Sequence, residues 1–424
     1  MGTPAGLNTR RRWLAVACAA ALALAGLRLW PHAALRDQVA GSTALFDQRG
    51  RLLRLTLAAD QQYRLWTPLE QVSPQFVQAL LLHEDRHFRW HPGVNPPALL
   101  RAAAVTWSGG ARQGGSTVTM QLARLLYGLN TRSPAGKLRQ VALALWLELR
   151  YSKHDILEAE INLLPYGQNI QGVGAASLVY FGKTPDRITL PEALALVLIP
   201  QSPAARTPDG AEPAGLREAR LRLFAQWQQR HPQARAIAEL MPAPLHFRAT
   251  AELPFAAPHL TDALLAQAGR GAVIRTTLDL DLQRLLEERI ASYVARQGRL
   301  GIDNAAALLV DTRSLEVKAL VGSADYFDDG ISGQVNGAFA RRSPGSALKP
   351  FLYALAMDQG LIHPLSVLKD APASFGAFSP ENFDGSFAGP ITAHDALIRS
   401  RNIPAVALAA RLTRPDFYEF LKLG

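Results

Sequence analysis

The sequence predicts a multidomain chain with an N-terminal membrane anchor helix, a mainly α-helical domain and a second domain that mixes helices with strands in an α/β (α+β) arrangement. Three observations predict it. Arg10, Arg11 and Arg12 precede the apolar run "WLAVACAAALALAGLRLW". Apolar residues then recur with helical spacing from Ser73 to about Arg235. Beyond a Pro- and Ala-rich stretch, "MPAPLHFRATAELPFAAPHL", β-rich runs such as "AAALLVDTRSLEVKALVG" alternate with helical ones.

The expected order is a basic tail (1–12), a signal-anchor (13–30), a β-hairpin and linker (31–60), the helical domain (61–235), a linker (236–274) and the mixed domain (275–424). Basic residues ahead of an apolar stretch keep that end in the cytoplasm, so the rest of the chain is expected outside a bacterial inner membrane, in the periplasm, after a single pass. The run is short for a full span of roughly 20 residues; Ala23-Leu24-Ala25 could serve a signal peptidase, but a retained anchor, tilted or with Arg28 snorkelling, is expected over a cleaved signal. Cys18 is the single cysteine and has no internal disulfide partner. It lies in the apolar run without the leucine expected three positions before a lipid acceptor, so it reads as packing.

With 424 residues, 48% of them hydrophobic and 19% charged, the chain has the composition of a globular protein with a large core. The net charge of +10 comes from scattered arginines without a nucleic-acid motif. Nucleic acid is therefore excluded as a partner; an anionic lipid surface or a pyrophosphate-bearing substrate accounts for the excess beyond an ordinary basic face.

Within "TALFDQRGRLLRLTL" two strands flank an Asp-Gln-Arg-Gly turn, which predicts a hairpin. Ser73 and Pro74 mark a helix start, and Ser152 with Asp155 resembles a capping box. "GVGAASLVYFGK" reads as a small-residue helix closing near Gly182.

Polar stripes on these helices nominate a site. Val77, Leu81 and Glu84 fall at i, i+4 and i+7, placing Glu84 on a cleft wall, where a half-desolvated carboxylate suits a general base. His83, His87 and His91 invite a metal, but no Glu stands between the first pair, and structural roles suit them better. Gly114 and Gly115 precede a helix that Ser116 or Thr117 can cap, with Thr117, Gln121 and Arg124 on one face and Val118, Leu122 and Leu125 on the other. A hydroxyl, an amide and a guanidinium at a helix start suit an anionic or sugar ligand, as well as an ordinary amphipathic helix. Lys137, Gln140, Ala144 and Glu148 share the next face, with Arg139 beside them; two cations there could hold a leaving pyrophosphate.

Together, "EDRHFRWHPG", "GGSTVTMQLAR", "KLRQVALALWLE" and "ILEAEINLLPYGQNIQGVGAASLVYFGK", in this order from about Val72 to Pro208, resemble the glycosyltransferase 51 family of peptidoglycan polymerases. With the later "RSPGSALKP", the chain resembles the bifunctional class A penicillin-binding proteins, nearest their 1C type. The resemblance implies a lysozyme-like fold for the helical domain and a partial, truncated transpeptidase-like fold for the mixed one. Its implied substrates are lipid II and the nascent glycan chain, with inner-membrane lipids and other cell-wall synthases as partners. No resident cofactor or metal site is identified, although a divalent cation such as Mg2+ or Mn2+ is compatible with the family.

By position, Glu84 resembles the base that deprotonates the acceptor 4-hydroxyl for inverting attack on the growing chain. The expected substrate-binding set is Asp85, Phe88, His91, Ser116, Thr117, Gln121, Arg124, Lys137, Arg139, Gln140 and Glu148. Arg124 stands where many members have lysine. Gln140 stands where many carry a second essential carboxylate; Gln cannot supply charge or move a proton. Either the role is positional, or Glu148 or Asp85 assumes it, or activity is weak.

Ser346 and Lys349 form S-x-x-K, where a lysine can take the serine proton, and Ser400-Arg401-Asn402 matches S-x-N. No Lys-Thr-Gly or Lys-Ser-Gly follows, so the acyl-transfer site reads as incomplete and the transpeptidase half as inactive. A lysozyme-like glycan hydrolase and a weakly active or non-catalytic scaffold remain the alternatives to a polymerase.

Overall fold

The computed structural model describes residues 30–99, 115–269 and 271–423, with short stretches at 15–16, 19, 25–28 and 101. The basic tail and most of the 13–30 anchor lie outside the described residues. Among the described residues no helix is long and apolar enough to cross a membrane. The chain divides into two compact units, Met1–Phe339 and Ala340–Gly424.

The first unit opens with the expected hairpin. Strand β1 (Ala44–Phe46) pairs antiparallel with β2 (Leu52–Leu55). The turn is built by Asp47, whose carboxylate accepts from the Arg49 and Arg51 backbone N–H groups and from Arg51 Nε. The hairpin is not a free spacer, because β1 also pairs in parallel with β6 (Val273–Arg275). Between these, β3 (Tyr63–Arg64), β4 (Pro165–Gly167) and β5 (Ile170–Gln171) form a small sheet in the order β3-β5-β4.

Among the described residues one continuous apolar core is enclosed chiefly by α1 (Pro74–Glu84), α2 (Val118–Leu126), α3 (Pro134–Arg150), α4 (Lys153–Leu163), α5 (Val173–Phe181), α6 (Leu190–Leu198) and α7 (Ala214–Arg230). Helix α6 is apolar almost all round and accordingly buried, packed between α1 and α7. The Ser152/Asp155 capping box fixes the start of α4, and Gly182, left-handed at φ 63, closes α5. Ser73 occupies the cap position of α1 but makes no side-chain cap bond; Pro74 alone sets that first turn.

In the 236–274 stretch, expected as a linker, Met241 and Phe247 are buried and Phe247 packs on Tyr180 and Phe181. Helix α8 (Pro258–Gln267) ends that stretch. Helix α9 (Leu280–Gln297) then lies on the β7 (Ala307–Val310) and β8 (Val317–Val321) pair.

The second unit has its own core of Leu352, Tyr353, Ala356, Ile391, Ala396 and Leu408. These come from α10 (Lys349–Asp358), the antiparallel pair β9 (Val367–Asp370) and β10 (Gly389–Thr392), α11 (Ala393–Ile398) and α12 (Asn402–Ala409).

Candidate active site

In the first unit, a cleft of about 690 Å3 is lined by Glu84, Ser116, Gln121, Arg124, Gln140 and Gln201, with Leu164 and Pro165 at its floor. Glu84 is the last residue of α1, so its side chain sits where the helix ends and the chain turns at Asp85. Both carboxylate oxygens are held: Gln121 Nε2 donates to Oε2 at 2.7 Å and Gln201 Nε2 donates to Oε1 at 2.9 Å. Two neutral donors fix the carboxylate without neutralising it, and each oxygen keeps a lone pair for a substrate proton.

The opposite wall is cationic. Arg124 is exposed on α2 and enters no ion pair among the described residues. Lys137 Nζ donates to Ser116 Oγ and to Gln140 Oε1, both at 2.8 Å. Burial, and then the nearby Arg124 charge, push the Lys137 amine below its usual value. Two cations this close favour an anion between them.

Gln140 is 2% exposed, and both ends of its amide are engaged, since Oε1 accepts from Lys137 and Nε2 donates one N–H to the Met120 carbonyl at 2.6 Å. A carboxylate there would set oxygen against oxygen at Met120. Gln140 is thus a neutral bridge that ties Lys137 on α3 to the start of α2.

Several expected site residues build the cleft instead of lining it. Asp85, Phe88 and His91 are buried. His91 Nε2 donates to Asp85 Oδ2 at 2.9 Å, and the Val118 N–H donates to the same oxygen at 3.1 Å. Thr117 caps α2 by accepting from the Met120 N–H, and its hydroxyl donates to the Gly93 carbonyl at 2.5 Å. Glu148 accepts from Thr119 Oγ1 and Lys153 Nζ, both at 2.6 Å, and Lys153 also reaches the His91 carbonyl. These contacts brace the first two motifs against each other. Neither Glu148 nor Asp85 is placed to replace a carboxylate at position 140. Arg139 is exposed and outside this hydrogen-bond set.

The three histidines do not converge: His91 is bound to Asp85, His87 is exposed, and buried His83 Nε2 has no partner. Among the described residues the cleft's donor set, one carboxylate already held by two amides and a Gln already bridged, does not fit a tightly held divalent cation. Gln201 was not singled out from the sequence. It lies 117 positions from Glu84, and the only signal was a polar residue between two prolines after an apolar helix.

In the second unit, Ser346, Ser400 and Asn402 line one cavity of about 400 Å3. Lys349 Nζ donates to the Ser400 carbonyl and Asn402 Oδ1, both at 2.5 Å, and to Ser400 Oγ at 3.1 Å. Burial lowers the Lys349 pKa, which favours the neutral amine a serine nucleophile needs. The S-x-N arm is held from behind by Arg401, buried against Asp370 at 2.7 Å. Lys349 is thus bonded to the S-x-N residues, and Ser346 shares their cavity without a hydrogen bond to Lys349.

A family model described as Transglycosylase matches residues 50–228, and one described as Penicillin binding protein transpeptidase domain matches residues 305–423. The chain is 39% identical over 413 residues to penicillin-binding protein 1C of Escherichia coli strain K12, covering 95% of this chain and 52% of that protein. It is 31% identical over 392 residues to penicillin-binding protein 2D of Bacillus subtilis strain 168, covering 87% and 55%. Penicillin-binding protein 1B of Vibrio cholerae is 31% identical over 378 residues, covering 83% and 48%. The chain spans about half the length of these relatives.

Proposed function

Since the chain belongs to the class A penicillin-binding proteins, with a transglycosylase domain followed by a penicillin-binding transpeptidase domain, we propose that its first unit polymerises lipid II into glycan strands. The observation that carries this reading is Glu84, fixed by Gln121 and Gln201 in the same cleft that Arg124 lines and Lys137 borders.

Glu84 takes the proton from the 4-hydroxyl of the acceptor sugar. The freed oxygen pair bonds to the anomeric carbon of the growing chain from the opposite face. The anomeric C–O bond to pyrophosphate breaks, and its electron pair leaves with undecaprenyl diphosphate. Arg124 and Lys137 stabilise the charge that grows on the leaving group. No step needs a second carboxylate, so the neutral bridge at Gln140 is compatible with turnover.

A lipid-borne substrate places this cleft at a bilayer surface. The outward side of α3 supports that setting, with Leu138, Leu145, Trp146 and Leu149 all exposed. On this reading the chain is anchored in the inner membrane with both units in the periplasm.

The transpeptidase half is proposed to be weak in a protein of these residues alone. Lys349 is engaged by Ser400 and Asn402 and not by Ser346, and the 424 residues contain no Lys-Thr-Gly or Lys-Ser-Gly to supply the oxyanion and carboxylate site. Glycan hydrolysis is disfavoured because Glu84 is the only carboxylate among the described cleft-lining residues, whereas hydrolases of this kind use two.

Purified protein incubated with labelled lipid II separates the readings. Longer glycan supports polymerisation, shortened added glycan supports hydrolysis, and binding without product supports a scaffold.

A further inference from the structure

Helix α4 carries a carboxyl that the steps above do not use. Glu160 is 1% exposed, and its Oε2 is sealed from solvent with no hydrogen-bond partner. Helix α4 packs against α2, and Leu164 and Pro165, just beyond Glu160, line the cleft. Glu160 therefore lies one helical turn before cleft-lining Leu164, on a helix packed against α2.

The charges it faces are Glu84 from the end of α1 and Arg124 from α2. Tyr166 of β4 is also close, its hydroxyl buried without a partner, and Tyr180 of α5 donates to the Tyr166 carbonyl behind it. Helix α3 also packs on α4, but its Lys137 is bound to Ser116 and Gln140 and its Glu148 to Thr119 and Lys153. The turns at 35–38 and 69–71 bring Arg36 and Asp37, paired with each other, and Glu70, paired with His154.

We propose that Glu160 holds its proton at neutral pH and is a positioning residue of the cleft: uncharged, it leaves Glu84 as the base and the Arg124 guanidinium free for the anionic donor. The inference rests on the reading of Glu84 as that base. An ionised carboxylate on a residue 1% exposed, with Oε2 sealed and given no donor, is strongly disfavoured. Burial, and then the Glu84 charge, hold the Glu160 carboxyl well above the usual carboxylate range, against the pull of Arg124. Once ionised, Glu160 would draw Arg124 inward and set a second negative charge against Glu84 and the pyrophosphate. The substrate proton does not pass through Glu160; it goes to Glu84.

The test combines isotope-edited infrared spectra of the full chain, labelled on glutamate, with lipid II polymerisation across pH. At neutral pH the parent shows a protonated-carboxyl band that is absent from Glu160→Gln; identical spectra overturn the proposal. In Glu84→Gln, the loss of the neighbouring charge moves the disappearance of that band to lower pH; an unmoved band overturns the coupling. Glu160→Gln, neutral and of the same shape, keeps the neutral-pH rate within about threefold. The parent then loses rate by about tenfold per pH unit above the ionisation of Glu160, and the variant lacks this alkaline limb. If Glu160→Gln is folded by circular dichroism yet as inactive as Glu84→Gln, Glu160 works as a charge and the proposal fails. If no form polymerises lipid II, the base reading fails, while the infrared band still decides the state of Glu160.

Discussion

Replacing Asp85 with Asn tests how the cleft is braced. Asp85 Oδ2 accepts from His91 Nε2–H at 2.9 Å and from the Val118 N–H at 3.1 Å, Oδ1 also lies 3.1 Å from His91 Nε2, and the side chain is 4% exposed. Asn keeps the shape but offers one carbonyl oxygen, and its amide N–H groups then face a donor. Losing a charge-assisted bond to a buried donor costs about 1.5–3 kcal/mol. Losing the negative charge at the N-terminus of α2 costs a further 0.3–1 kcal/mol or so. The sum, about 2–4 kcal/mol, lowers the midpoint of thermal unfolding by roughly 3–6 °C for a unit of this size. Far-UV circular dichroism reads the shift. Because α2 carries Gln121 and Arg124, the same loosening lowers the polymerisation rate by about tenfold or more. An unchanged midpoint together with an unchanged rate would refute the bracing role.

Other perturbations give separable outcomes. Lys137→Met removes one of the two cations beside the cleft; kcat/KM for lipid II falls by about 10²–10³-fold, and inorganic pyrophosphate competes less well in the polymerisation assay. Glu160→Gln changes stability with a defined sign. The folded carboxyl stays protonated above its ordinary value of 4.5 while the unfolded one ionises, so the parent loses stability as pH rises by up to about 1.4 kcal/mol per unit, and the variant does not. Below pH 4.5 the two forms converge, and thermal unfolding at a series of pH values checks both limbs. A fluorescent penicillin labels Ser346 of the 424-residue chain weakly, and label intensity on a gel, with Ser346→Ala as the blank, reads it; labelling as fast as in a complete site would show that the third motif is dispensable.

What the sequence revealed and what it hid follow one physical line. Helical periodicity put Glu84 at the end of an apolar stripe and Gln121 with Arg124 on one polar face, and local chemistry marked the Ser152/Asp155 cap, the Gly182 terminus and the 44–55 hairpin. Each of these is decided within a turn or two of chain. Periodicity names a face but not what lies opposite it. Asp85, Phe88 and His91 share a motif with Glu84, and Glu148 ends the third motif, yet tertiary packing turns them inward, where they hold the motifs together. Gln201 reaches Glu84 only because α6 returns across the core to α1. The 236–274 stretch looked like a linker by composition, but Phe247 docks in an aromatic pocket that only the folded α5 provides. Glu160 lies in "ILEAEINLL" among apolar residues, and nothing local indicates that this acid, unlike Glu158, faces inward without a partner.

The central claim is that Glu84 is the base of a lipid II polymerase. Glu84→Gln keeps the shape and one acceptor oxygen while removing the charge and the capacity to take a proton. With labelled lipid II at saturating concentration, the account predicts that glycan formation falls by about 10²–10⁴-fold while lipid II binding persists. Glycan formed by Glu84→Gln at the parental rate would contradict it.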